Sequence, residues 1–284
     1  MKSRFLKSYC KLNLFLNVGR KIKKYNLHDI KSLVFIINLH DEIKIKRVFK
    51  PKDSIKFSGS FGNHVNKKEN SILQSISLLR RNGYINGNYH VAVKKKIPVF
   101  SGLGGGSSNS AAIIQHFLKT KKLSHKTLSY FSKKLGSDLK LFFYSSQFLQ
   151  KNLTKIQDIK KKHELYFVII YPFLKCSTKE IYSKYNFVKA EKKQINYNFN
   201  SKIKLINSLK VTQNSLEKIA IKKFPLIQKI LNELELTKNC HFSRLTGSGS
   251  ACFGVFLTKK SAQLGLKKIK KKFPKYWCVI SKTI

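Results

Sequence analysis

The sequence predicts a mixed α/β (α+β) protein in two lobes. Three observations carry this reading. Segments of strand period and of helix period intermix in both halves, and nothing repeats. The 284 residues are 42% hydrophobic, enough for one large or two modest cores. Charge rises sharply around residues 160–163, which places a linker there and divides the chain into 1–159 and 160–284.

The elements follow in order. Cys10, Leu12, Leu14 and Leu16 alternate with Tyr9, Lys11, Asn13, Phe15 and Asn17, so residues 9–17 read as a strand. Lys11 and Asn13 then point the same way. The opening Met1-Lys-Ser-Arg4 looks like the basic start of a leader. Lys11, Asn13 and Asn17 interrupt the apolar stretch behind it, and no small-residue cleavage site follows, so it is read as leading into the first strand. Strands are expected at 33–39 and 42–49, the second alternating Ile43 and Ile45 with Lys. Ile72, Leu73, Ile76 and Leu79 give a helix over 70–81, with Gly83 just past its end. A short strand at 90–95 leads into a glycine loop, then a helix to about 121 and another over 125–135, stopped by Gly136. Residues 141–144 read as strand. The second half predicts a strand at 165–171 ended by Pro172 and helices at 178–185, 216–224 and 225–234. A second glycine loop at 244–253 leads into a strand at 252–257, followed by a helix at 261–272 and a last strand at 276–280.

Composition narrows the function classes. Lys and Arg total 58 against 13 Asp and Glu, a formal net charge of +45. Such a charge suggests a nucleic-acid or anionic-surface partner. Yet the only arginines are Arg4, Arg20, Arg47, Arg80, Arg81 and Arg244, and nucleic-acid surfaces lean on Arg. Lys is spread along the whole chain beside many Ile and Asn, residues with A/T-rich codons, so the charge reads as a solvated lysine face. The five cysteines show no C-x-x-C spacing, and their count is odd. A zinc site or disulfide framework is not expected, and a reducing, cytoplasmic location is. No uncharged apolar run nears the roughly 18 residues of a membrane helix.

The strongest chemical signal is the loop Pro98, Val99, Phe100, Ser101, Gly102, Leu103, Gly104, Gly105, Gly106, Ser107, Ser108. Three successive glycines cost conformational entropy unless the backbone must approach something closely. A helix starts directly behind them, and the first N–H groups of a helix lack internal partners and favour an anion. Free amides with the Ser107 and Ser108 hydroxyls make a phosphate cradle. No Gly-Lys-Ser/Thr follows, so it is not a Walker A loop, and no acidic residue stands where a dinucleotide fingerprint needs one. The bland alternative is an ordinary flexible turn.

Phosphoryl transfer also needs a group to handle the attacking hydroxyl. Acidic residues are so scarce that Asp138, in Gly136-Ser-Asp138, stands out. By itself it reads as a turn or cap residue. Lys11 by itself reads as a side chain snorkelling to solvent.

Together these segments change the reading. Lys11-Leu-Asn-Leu-Phe-Leu, the loop Gly102-Leu-Gly-Gly-Gly-Ser-Ser-Asn109, Gly136-Ser-Asp138 and Leu245-Thr-Gly-Ser-Gly249 occur in that order. The set resembles the GHMP superfamily of galactokinase, homoserine kinase, mevalonate kinase and phosphomevalonate kinase. Within it, the first segment and the long glycine loop resemble the 4-diphosphocytidyl-2-C-methyl-D-erythritol kinase family. The resemblance runs from about residue 8 to 256, with a divergent middle around 186–210. It implies a first lobe of the ribosomal protein S5 domain 2 type that binds ATP, and a ferredoxin-like second lobe. It implies ATP with Mg²⁺ as cofactors and a small cytidine diphosphate-linked alcohol as substrate, with no membrane or nucleic-acid partner. Carried over residue by residue, Asp138 is the base and Lys11 the partner that keeps it ionised and stabilises charge on the oxygen. Pro98 to Ser108 form the ATP loop. Asn13, His28, Thr178 and Tyr182 contact substrate, His28 by hydrogen bonding and Tyr182 by stacking on the cytosine. Gly247, Ser248 and Gly249 form the third glycine motif, which closes on the substrate. No metal-ligating side chain is implied.

Two segments depart from the family pattern. Leu27 replaces a tyrosine that would complete a sandwich on the base, and Leu139-Lys140 replaces Val-Pro. Two rival readings remain open at this level. One is another kinase of the superfamily, such as a homoserine kinase, against which His28 and Tyr182 argue. The other is a basic nucleic-acid-binding module with a vestigial kinase site, which draws on the charge.

Overall fold

A computed structural model describes residues 5–118, 123–187 and 197–284. The elements run β1 (Leu6–Ile22), β2 (Leu27–Val48), β3 (Ser54–Ser58), α1 (Ser71–Arg81), β4 (Asn88–Lys94), α2 (Gly105–Leu118), α3 (His125–Leu135), β5 (Gln147–Gln150), β6 (Ile156–Asp158) and β7 (Tyr166–Tyr171). They continue α4 (Thr178–Ser183), α5 (Lys202–Lys210), α6 (Glu217–Lys223), α7 (Leu226–Glu235), β8 (Ser243–Leu245), β9 (Cys252–Phe256), α8 (Lys259–Lys272) and β10 (Trp277–Lys282). The mixed α/β class is as expected. The opening residues 1–4 and the end of the expected helix at 119–121 lie outside the described residues.

The chain divides into two compact units. One comprises residues 1–10, 39–99 and 104–144; the other comprises 11–38, 100–103 and 145–284. The domain boundary expected at 159/160 falls between β6 and β7.

In the first unit, the later half of β2 pairs antiparallel with β4, and β4 pairs in parallel with β3. The apolar face of these strands, Ile43, Val91 and Val93, packs with Ile72, Ile76 and Leu79 of α1, Ile113 and Ile114 of α2, and Phe131 of α3. Helix α1 begins one residue later than expected because Asn70 is its cap. The Asn70 side chain accepts from the amides of Ile72 and Leu73, both at 3.1 Å. Helix α3 ends where expected, at Gly136 with φ +110°. The strand expected at 141–144 is instead a 3-10 segment, Ser137–Phe143. Leu139 and Leu141 are buried there. Four apolar residues carry too little period to separate a short strand from a helical turn.

The two strands expected at 33–39 and 42–49 form one, β2. No Gly or Pro interrupts residues 39–42, and the strand changes neighbours along its length. Residues 42–48 pair with β4, and residues 32–35 pair with β5.

In the second unit, β10, β7, β9 and β8 form an antiparallel sheet in that order. Val168, Ile170, Cys252 and Phe256 bury one face under Ile227, Ile230 and Leu234 of α7 and Ala262 and Ile269 of α8. Gly265 lets α8 lie close, since a Cβ there would stand 2.8 Å from the Phe256 ring. Helix α5, in the divergent middle, was not anticipated.

Candidate active site

The glycine loop leads into α2, which starts at Gly105. Gly104, with φ +73°, turns the chain into the helix. Gly105 is tightly enclosed: a Cβ would lie 2.9 Å from Ile97 Cγ2 and 3.1 Å from Lys95 Nζ. Gly106 is exposed, and Ser107 is half-buried. A Cβ at Gly106 would meet only Ser71 Oγ, at 3.7 Å, and the first amides of a helix lack internal partners, as an anion cradle requires. Ser108 is buried and bonds elsewhere. Its hydroxyl lies 2.6 Å from Ser8 Oγ and donates to the Tyr9 carbonyl. Of the two serines expected in the cradle, Ser107 is therefore the less buried one. Pro98 is buried, Val99 half-buried and Phe100 exposed with φ +55°.

Beneath this turn lies a group that sequence reasoning missed. Asp41 of β2 is fully buried. One carboxylate oxygen accepts from the backbone amides of Lys96 at 2.7 Å and Ile97 at 2.8 Å. The other accepts from Lys95 Nζ and, at 2.9 Å, from Asn109 Nδ2. Asn109 Nδ2 also lies 2.9 Å from Ser8 Oγ. The carboxylate thus ties the strand that enters the loop to the helix that leaves it. The signal was present in the pattern: residues 41, 43 and 45 share a face, and Ile43 is buried.

Asp138 is half-buried in the first turn of the 3-10 segment. It follows Gly136, whose added Cβ would lie 3.5 Å from Ser107 Oγ. The structure therefore brings the Gly136–Asp138 turn next to the start of α2.

In the second unit, Lys11 and Asn13 point the same way along β1, as expected. Both are buried. Lys11 Nζ donates to Asn13 Oδ1, and Asn13 Nδ2 donates to Ser32 Oγ at 2.8 Å. The Asn13 amide donates to Thr246 Oγ1 at 3.2 Å. Gly247 joins them, since a Cβ there would come 3.3 Å from Lys11 Nζ. Residues 101–103 dock on the same loop. Ala251 donates its amide to the Ser101 carbonyl at 3.1 Å, and Lys11 donates its amide to the Leu103 carbonyl at 3.0 Å. Gly102 lies so close that a Cβ would stand 2.1 Å from the Thr246 carbonyl oxygen.

Arg244, just before this motif, holds the backbone around it. Its buried guanidinium donates to the carbonyls of Leu14, Leu209 and Thr212 and to Thr212 Oγ1. Burial lowers its pKa to about 10, opposed by Glu217, so it stays charged at neutral pH. Burial also raises the pKa of Glu217, which accepts the Leu245 amide at 2.7 Å.

A second cluster collects His28, Tyr182 and Tyr185. The His28 ring lies 5.8 Å from Tyr182, tilted 42°, and 5.7 Å from Tyr185, edge-on. His28 Nδ1 lies 2.9 Å from the Gly19 carbonyl. A carbonyl only accepts, so Nδ1 carries the hydrogen and Nε2 of the neutral ring is an acceptor. Thr178 lies 3.0 Å, hydroxyl to hydroxyl, from Ser248. Leu27, which replaces the family tyrosine, is exposed. Tyr185 was not anticipated; its hydroxyl donates to the Val18 carbonyl at 2.6 Å.

Among the described residues there is no cluster of three or more His, Cys, Asp or Glu. No helix there is long and apolar enough to cross a membrane.

Comparison with known proteins bears on this arrangement. Residues 70–143 match the model of the GHMP kinases N terminal domain, and residues 197–275 that of GHMP kinases C terminal. A protein of Pelagibacter ubique, 4-diphosphocytidyl-2-C-methyl-D-erythritol kinase, is 35% identical over 100% of both chains. The chain belongs to the 4-diphosphocytidyl-2-C-methyl-D-erythritol kinase family. A crystal structure of a 4-(cytidine 5'-diphospho)-2C-methyl-D-erythritol kinase has the same fold, with TM-score 0.73 and 20% identity over 99% of this chain and 100% of that one. A homoserine kinase of Cytophaga hutchinsonii also shares it, with TM-score 0.70 and 17% identity over 100% and 95%. The fold is therefore common to kinases of different substrates, and membership of the 4-diphosphocytidyl-2-C-methyl-D-erythritol kinase family rests on the sequence relatives.

Proposed function

We propose that this chain transfers the γ-phosphoryl group of ATP to the C2 hydroxyl of 4-diphosphocytidyl-2-C-methyl-D-erythritol, the kinase step of non-mevalonate isoprenoid synthesis. The observation that carries the reading is the turn at Gly104–Gly106, where tightly packed Gly105 and open Gly106 present a helix start to an anion. Residues 98–108 bind ATP, and the two parts 1–159 and 160–284 are its ATP-binding and C-terminal domains. Asp138 takes the proton of the attacking hydroxyl, and the Lys11 ammonium stabilises charge on that oxygen. The Ser107 hydroxyl, at the helix start, would be the side chain to hold a Mg²⁺ ion bound with ATP, which would supply neutralisation of the phosphate charge.

Substrate selection falls to the second unit. His28 Nε2, left as an acceptor, suits an exocyclic amino group such as that of cytosine. Tyr182 supplies a flat ring for the base, with Asn13, Thr178 and Gly247–Gly249 lining the remainder. The enzyme works in the cytoplasm, and the basic surface needs no nucleic acid. A coupled ADP-release assay with the diphosphocytidyl alcohol, homoserine and mevalonate in parallel tests this. Turnover is expected with the first alone. Asp138→Asn should lower kcat by about 10²-fold or more with the fold intact. Turnover of homoserine or mevalonate in place of the cytidyl alcohol overturns the assignment.

A further inference from the structure

The Asn13 side chain offers a carbonyl at one end and an NH₂ at the other, and its shape alone does not say which faces Lys11. Ser32 of β2 decides. It is fully buried, and its single hydroxyl hydrogen is committed to the Phe15 carbonyl at 2.6 Å. Towards Asn13 it can offer only a lone pair, so the amide NH₂ must face it, at 2.8 Å. Asn13 Oδ1 is then turned to Lys11 Nζ and accepts from it. The opposite flip would set the NH₂ against the ammonium and the amide oxygen against the serine lone pair.

The chain of donors has one direction: ammonium to amide oxygen, amide NH₂ to hydroxyl oxygen, hydroxyl to a backbone carbonyl fixed in β1. Such a chain is cooperative. Its acceptor at the lysine is neutral, so this contact orients the ammonium without cancelling its charge. A carboxylate in the place of Asn13 would orient it and cancel the charge together.

We infer that Ser32 is a positioning residue for phosphoryl transfer, acting on Lys11 through the amide of Asn13. The inference rests on the reading of Lys11 as the group that stabilises charge on the attacking oxygen. The test compares Ser32→Ala, Ser32→Thr and Lys11→Met in the full chain, by steady-state kinetics and thermal melting. Ser32→Ala is expected to lower kcat about tenfold with the KM for ATP within twofold. Ser32→Thr keeps the hydroxyl and is expected to hold kcat within threefold of the parent. Should Ser32→Ala not fold, Ser32→Cys, of similar volume and weak hydrogen bonding, takes its place with the same expectation. A normal kcat in the alanine variant overturns the inference. So does an equal loss in the alanine and threonine variants that follows their melting temperatures, which is the mark of packing alone. If Lys11→Met keeps near-normal turnover, the reading of Lys11 itself fails; if it abolishes turnover while Ser32→Ala is normal, only the role of Ser32 fails.

Discussion

Lys95 and Asp41 form an ion pair in which both side chains are buried, 3% and 0% exposed. The pair lies under the turn that begins α2, and the free oxygen lone pairs of Asp41 are taken by the amides of Lys96 and Ile97 and by Asn109. A buried carboxylate with every acceptor position used is a fixed part of the loop's foundation. Removing one partner of such a pair leaves a buried charge, which costs about 3–5 kcal/mol.

Asp41→Asn should therefore lose about 3–5 kcal/mol in urea denaturation, and the surviving folded enzyme should show a raised KM for ATP. The double variant Asp41→Asn with Lys95→Met removes both charges and should recover most of that stability. A double variant no more stable than the single one would show that the charge pair is not the source of the loss.

Gly102 makes a different demand. Its φ is +78°, and an added Cβ would meet the Thr246 carbonyl oxygen at 2.1 Å. Gly83 has nearly the same φ, +71°, with nothing within 4 Å of its Cβ position. Gly83→Ala should cost about 1 kcal/mol of backbone strain with kinetics unchanged. Gly102→Ala must in addition push the 101–103 segment off the 246–251 loop, and should cost more stability and lower kcat. Equal losses in the two variants would mean that the close approach is not maintained in solution.

These two sites mark where the sequence was readable and where it was not. The alternation of residues 9–17 placed Lys11 and Asn13 on one face because strand period is a local property. Three glycines ahead of an apolar helix announced the loop for the same reason. The docking of Gly102 on Thr246 spans well over a hundred residues, and no local pattern encodes it. Asp41 was half legible: it is in register with Ile43 and Ile45, but it fell between the strands expected at 33–39 and 42–49, and its partners Lys95 and Asn109 come from elements distant in sequence. Ser32 carried no signal at all, since its importance depends on which lone pair is left after Phe15 is satisfied. Residues 141–143 were misread as strand because the four-residue apolar run 141–144 is too short to show whether its period is that of a strand or of a helical turn.

The five cysteines are free thiols. Burial pushes Cys176 and Cys278 up to about 11, Cys240 up to about 12, and Cys252 well above its ordinary value. The thiolate is the reactive form, and for a pKa of about 11 its share at pH 7.5 is below ~1 in 10³. Raising the pH towards these values increases that share about tenfold per unit. Native protein should thus react with Ellman's reagent slowly at pH 7.5 and faster as pH rises, and unfolding in guanidinium should release five fast thiols. Rapid labelling of four or more thiols at pH 7.5 in the native state would contradict their burial.

The aromatic cluster around His28 gives the last prediction. Tyr182 packs against the core of the second unit and also lies 5.8 Å from the His28 ring. Deletion alone therefore does not separate a role in stacking on a base from a role in the core. Tyr182→Ala removes the ring, and stacking on a base is worth roughly 1–3 kcal/mol. The KM for the cytidyl substrate should rise by about 5- to 150-fold, with the KM for ATP within twofold. Tyr182→Phe keeps the ring and should leave the cytidyl KM nearly unchanged. Tyr185→Phe is the control on the other side of His28: it deletes the hydroxyl bond to the Val18 carbonyl, which should cost about 1 kcal/mol of stability without moving either KM. A Tyr182→Ala protein that melts early yet binds the cytidyl substrate normally would assign the ring to the core, and leave His28 as the residue that recognises the base.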